Sequence, residues 1–169
     1  MKLDKFRAQA AGLLEAGETV EAVAKVTPRG VAEEFIIRGA AGAGAGAVSP
    51  TLWAAGAAAA DGMASSAGDK GRDERAEAGI DLGNAQQVIF AVTGQRLVFF
   101  KRSALGKPKE ILASLPRNEV AAAVMGETKL FGQTMPEIQL TNAAGAEVGF
   151  GVAKIDRKDG EAIVAALNA

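Results

Sequence analysis

Apolar and polar positions change period several times along this chain, and each change marks an element. In residues 3–15, Leu3, Phe6, Ala10, Leu13 and Leu14 recur at helical spacing, while Lys2, Lys5, Arg7 and Gln9 lie mostly off that face. The spacing predicts an amphipathic helix stopped by Gly17. Such a helix either docks on its own domain or offers its apolar face to a membrane or a partner. Residues 18–27 shift to period two, with Val20, Ala22, Ala24 and Val26 on one face. Thr19, Glu21, Lys25 and Thr27 lie on the other face with Val23. This predicts a half-buried strand ended by Pro28 and Gly30. Residues 34–38, Glu-Phe-Ile-Ile-Arg, read as a second short strand or a bend.

The pattern then lapses. Residues 39–60 carry no charge; eleven are Ala and five are Gly, and only Val48, Leu52 and Trp53 are bulky and apolar. Residues 61–85 are polar with alternating charges, as in a solvated linker or a short exposed helix. Together, 39–85 reads as an insertion within a single domain spanning 1–169.

From residue 86 the pattern is β. Val88, Ile89, Phe90 and Val92 are followed by the turn Thr93-Gly94-Gln95, and then by Leu97, Val98, Phe99 and Phe100. Further strands are predicted at 109–115, 119–125, 137–141 and 147–152, with 126–134 a longer loop or irregular strand. A terminal helix carries Ile163, Val164 and Leu167 on its apolar stripe, with Asp156 or Asp159 as its cap.

Seven strands and a C-terminal helix form a familiar order. The stretch Val88-Ile-Phe-Ala-Val-Thr-Gly-Gln-Arg-Leu-Val-Phe-Phe100 resembles the paired strands of pleckstrin-homology-like (PH-like) domains, more narrowly the bacterial PH-like and GRAM-like domains. The step from Leu115-Pro116 to Val120 and the opening Leu14-Glu-Ala-Gly-Glu18 are similar to those families too. The resemblance covers about 14–30 and 86–167. It implies a mainly β fold: a seven-stranded antiparallel barrel capped by the C-terminal helix, with an N-terminal helix and an Ala/Gly-rich insertion after strand one. It also implies binding rather than catalysis. Many PH domains hold phosphoinositides through basic residues near the first hairpin. Here the insertion replaces that hairpin, flanked only by Lys25 and Arg29.

Composition narrows the chemistry. With no Cys and no His in 169 residues, disulfides, thiolate metal sites and a Ser-His-Asp triad are excluded. A carboxylate-only Mg²⁺ or Ca²⁺ site stays open, but no Asp-x-Asp-x-Asp-Gly loop occurs. Nineteen basic against twenty acidic residues give a formal net charge of −1, which argues against a nucleic-acid partner. The adjacent carboxylates Glu33-Glu34 and Asp73-Glu74 read as surface groups, so no catalytic residue and no cofactor is expected. The first fifteen residues lack a continuous apolar run, so a cytoplasmic location is expected, with a possible peripheral place at the inner face of the membrane.

Two recognition surfaces stand out. Lys101, Arg102, Lys107 and Lys109 cluster at one turn, where cations attract anionic lipid or keep strand edges apart. Leu52 and Trp53 are the apolar contacts of the 39–60 tract. That tract is about as long as a ~20-residue membrane span, but Ala, Gly and Pro50 suit such a span poorly. It either folds over the barrel and buries Trp53, packs between copies of the chain, or inserts shallowly at a membrane interface. The run Gly42-Ala-Gly-Ala-Gly-Ala47, with Asp61 nineteen residues after Gly42, matches a dinucleotide fingerprint on paper. Pro50 would cut the helix that such a site needs. The expected work is therefore recognition of a protein partner or an anionic membrane surface. The alternatives are a self-assembling structural subunit built on the insertion and a nucleotide-binding enzyme built on the glycine tract.

Overall fold

A computed structural model describes residues 2–31, 68–83, 85–130 and 133–169. Seven strands form one antiparallel sheet: β1 Val20–Pro28, β2 Val88–Thr93, β3 Arg96–Arg102, β4 Pro108–Pro116, β5 Val120–Leu130, β6 Gln133–Asn142 and β7 Glu147–Val152. Their order across the sheet is β4-β3-β2-β1-β7-β6-β5. Helix α1 spans Leu3–Ala10, α2 residues 68–77, and α3 Arg157–Leu167. The fold is mainly β, as expected, but the sheet does not close into a barrel. β4 and β5 remain its two edges. The last turn of α3 is tied beside both: Arg117, just past β4, donates to the Ala166 carbonyl, and Asn168 Nδ2 donates to the Ala123 carbonyl of β5 at 3.0 Å.

Both faces of the central strands are covered, which explains why β2 is apolar without a break from Val88 to Val92 and buried throughout. On one face Phe90, Phe99 and Phe150 meet with ring centroids 4.6–5.6 Å apart, and Ile163 of α3 packs with them in one cluster. On the other, Ile89, Ala91, Val98 and Phe100 pack under Phe6 and Ala10 of α1. Phe6 meets Phe100 edge-on at 5.5 Å. An eight-residue helix is unstable alone, so this docking is what holds α1.

Several sequence expectations shift. α1 ends at Ala10 rather than 15, although Leu13 and Leu14 still pack beside it. Val20 does not share a face with Ala22, Ala24 and Val26. The register between β1 and β2 slips between Val20 and Ala22, and this bulge turns Val20 toward α1. Of the two readings offered for 126–134, a longer loop or an irregular strand, the strand holds on both sides of residues 131–132, since β5 and β6 pair from Ala122↔Thr141 to Leu130↔Gln133. Asp156 sits at the N-cap of α3 but makes no side-chain capping bond. In the described part of the 61–85 segment the short exposed helix is found as α2, but one side of it and the residues after it are buried. Beyond α2, Ala78, Ile80 and Leu82 are buried in the sheet's core, and Arg75 is 3% exposed.

Replacing Phe6 with Ala is expected to cost about 3–5 kcal/mol and to lower Tm by roughly 10 °C, read by thermal denaturation. A cost below about 1 kcal/mol would contradict the docking of α1.

Candidate functional site

The β3–β4 hairpin carries the predicted basic cluster. Its turn is built locally. The Gly106 N–H donates to the Ser103 carbonyl at 2.8 Å, and the Lys107 N–H donates to Ser103 Oγ at 3.0 Å. Gly106 adopts φ +75°, a conformation that disfavours residues with a Cβ. The turn drives Leu105 outward, leaving it 84% exposed, while Lys101, Lys107 and Lys109 are exposed around it and Arg102 is half-buried. The register slip between Phe99 and Phe100 sets Phe100 opposite Ile111 and so Lys101 beside Glu110, and these two pair at 2.8 Å. Lys101 holds the Glu110 carboxyl below the usual carboxylate range. The structure thus brings the four predicted cations onto one hairpin, with one partly neutralised. Leu52 and Trp53, like the Gly42–Ala47 run, Asp61, Glu33, Glu34 and residues 34–38, lie outside the described residues.

Beside the hairpin is a cavity of about 590 Å³. Its polar wall is Thr27, Gln86, Gln87, Lys101, Arg102 and Ser103. Val31, Ala85, Ala104 and Met135 form the apolar part. Arg102 donates to the Gln87 side-chain oxygen, but its Nε is buried without a hydrogen-bond partner.

Two ion pairs escaped the sequence reading because their partners lie 78 and 108 residues apart. In the first, Glu18 has a side chain only 1% exposed and accepts from Arg96 Nε and Nη2 at 2.9 Å each. It also accepts from Thr93 Oγ1 at 2.8 Å and from the Glu15 N–H at 3.1 Å. These bonds, Arg96 foremost, lower the Glu18 pKa to about 2. They tie the β2–β3 turn to the entry of β1. Glu18, Thr93 and Arg96 stand in the stretches carrying the PH-like resemblance, but the pattern alone did not pair them.

In the second, Arg29 grips buried Glu137 of β6 through Nε–Oε1 at 2.9 Å and Nη2–Oε2 at 2.5 Å. The Arg29 N–H donates to the Gly149 carbonyl, and the Arg29 carbonyl accepts from Arg75 Nη1 at 2.8 Å. A Cβ at Gly149 would sit 2.5 Å from both Arg29 Nε and Glu137 Oε1. A Cβ at Gly71 would sit 2.1 Å from the Arg29 carbonyl oxygen. Close glycine contacts therefore let β7 and α2 pack on Arg29. Both ion pairs join strands to the connections between them and act as scaffold.

Of the other candidate carboxylates, Asp73 is exposed and Glu74 lies 3.7 Å from Arg29 Nη1. Among the described residues no group of three or more acidic side chains converges as a metal site. No helix among them is long and apolar enough to cross a membrane. A scan against protein-family models matches none, and a search of curated proteins finds none similar.

The Glu18 contribution has a defined pH window. Its carboxyl titrates lower in the folded chain than in the unfolded one, so the stabilisation is fully present above about pH 4.5 and is lost as pH falls toward 2. Its size is about 3 kcal/mol. Glu18→Gln is expected to lower stability at pH 7 and flatten the loss between pH 4.5 and 2 in urea titrations. An unchanged acid slope would contradict this assignment.

Proposed function

We propose that this chain is a non-catalytic, PH-like binding module that meets an anionic membrane surface through its β3–β4 hairpin, as a peripheral protein of the cytoplasmic face. The observation carrying this reading is Leu105, 84% exposed at a hairpin tip surrounded by Lys101, Arg102, Lys107 and Lys109. An exposed leucine at an ordered tip gains by entering the acyl boundary, and cations beside it favour anionic headgroups. Each cation near such a surface contributes about 1 kcal/mol, and full burial of Leu105 about 1.5–3 kcal/mol. Glu110 offsets part of the Lys101 share. The total of about 5 kcal/mol corresponds to a Kd in the upper micromolar range. The hairpin alone therefore supports reversible attachment, and firm anchoring requires a second contact.

The test is vesicle flotation with the full chain at low and moderate salt. The protein is expected to float with vesicles containing phosphatidylserine, to remain in solution with neutral vesicles, and to lose binding as salt rises. Lys107→Glu with Lys109→Glu is expected to abolish flotation, since each reversal shifts the balance by about 2 kcal/mol. Leu105→Ser is expected to weaken it by about tenfold. Failure to float under every condition would overturn the membrane reading.

A further inference from the structure

We propose that the cavity between β1, β2, β3 and β6 binds a phosphate monoester carrying a short apolar body. This rests on reading the chain as a binding module and names what the cavity beside its hairpin would take. The walls select for an anion, because the described lining residues include Lys101 and Arg102 and no acidic side chain. Donor capacity remains on that wall. Arg102 spends Nη1 on Gln87, which leaves its Nη2 hydrogens as donors. Gln87 accepts from Arg102 through its side-chain oxygen, leaving its amide N–H groups as donors. Ser103 Oγ accepts from the Lys107 N–H, so its own O–H remains to give.

A tetrahedral phosphate has three terminal oxygens and suits Arg and Lys together. The cavity does not suit a polyphosphorylated ligand, because Lys101 already pairs with Glu110 and each further buried charge needs its own partner. The opposite requirement comes from Val31, Ala85, Ala104 and Met135, which offer no hydrogen bonds from their side chains and match hydrocarbon. About 590 Å³ lies in the range of small-molecule sites. The ligand is therefore amphiphilic, with its phosphate on the Arg102 side and its apolar part toward Met135. A free phosphomonoester and a phospholipid headgroup share this chemistry.

The test is isothermal titration of the full chain with hexyl phosphate, dihexanoyl phosphatidic acid, inorganic phosphate and hexanol. Hexyl phosphate is expected to bind at least tenfold tighter than inorganic phosphate, with no measurable binding of hexanol. Tighter binding of dihexanoyl phosphatidic acid than of hexyl phosphate identifies a lipid source, and the reverse a free phosphomonoester. Arg102→Lys keeps the charge but lacks the planar fork that holds Gln87 and a phosphate oxygen together, and is expected to weaken binding at least fivefold. Met135→Asp is expected to abolish it. Circular dichroism of each variant checks that it is folded. If Arg102→Lys fails to fold, the wild-type ranking of the four probes and Met135→Asp still decide.

The proposal is overturned if no probe binds, if hexyl phosphate binds no better than inorganic phosphate, or if folded Arg102→Lys binds like wild type. Flotation on phosphatidylserine vesicles without hexyl phosphate binding would sink the cavity assignment and leave the membrane reading standing. Hexyl phosphate binding without flotation would do the reverse, leaving a site for a free phosphomonoester.

Discussion

The structure depends on β2 being buried on both faces. A strand apolar at every position from Val88 to Val92 cannot satisfy itself in a one-sided sheet, so two layers must cover it. α1 supplies one through Phe6 and Ala10, and α3 supplies the other through Ile163, joined by Ala78, Ile80 and Leu82 of the long β1–β2 connection. The helices are short and owe their stability to the sheet. In return they shield Phe90, Phe99 and Phe100, the largest apolar side chains on β2 and β3.

That core sets where chemistry can occur. β3 is fully buried from Leu97 to Phe100 and emerges at Lys101, where the cationic hairpin begins. The same transition opens the cavity beside Arg102. The hairpin therefore stands on a rigid base, with Ser103 and Gly106 fixing its turn and Leu105 at its tip. Buried ion pairs at Glu18–Arg96 and Arg29–Glu137 hold the surrounding connections in place.

The legible parts of the fold were those written in local periodicity. All seven strands and both terminal helices follow from apolar spacing, as do the Thr93–Gln95 turn and the basic hairpin. The bulge that turns Val20 toward α1 was hidden, because alternation assumes an unbroken register. Ala78, Ile80 and Leu82 were hidden by the charged residues before them, since burial there is decided by distant strands. Open sheet edges were equally illegible: strand count does not specify whether β4 meets β5. The site divides in the same way. Its cations are contiguous in sequence, whereas Thr27, Gln87 and Met135 join the cavity only through folding.

The most direct measurement is hydrogen exchange on the full chain with and without phosphatidylserine vesicles, resolved by peptide. Added protection is expected only at residues 101–109, with β2 unchanged because it is already buried along its whole length. Vesicle-dependent protection centred on α1 or β5, with none at the hairpin, would contradict it.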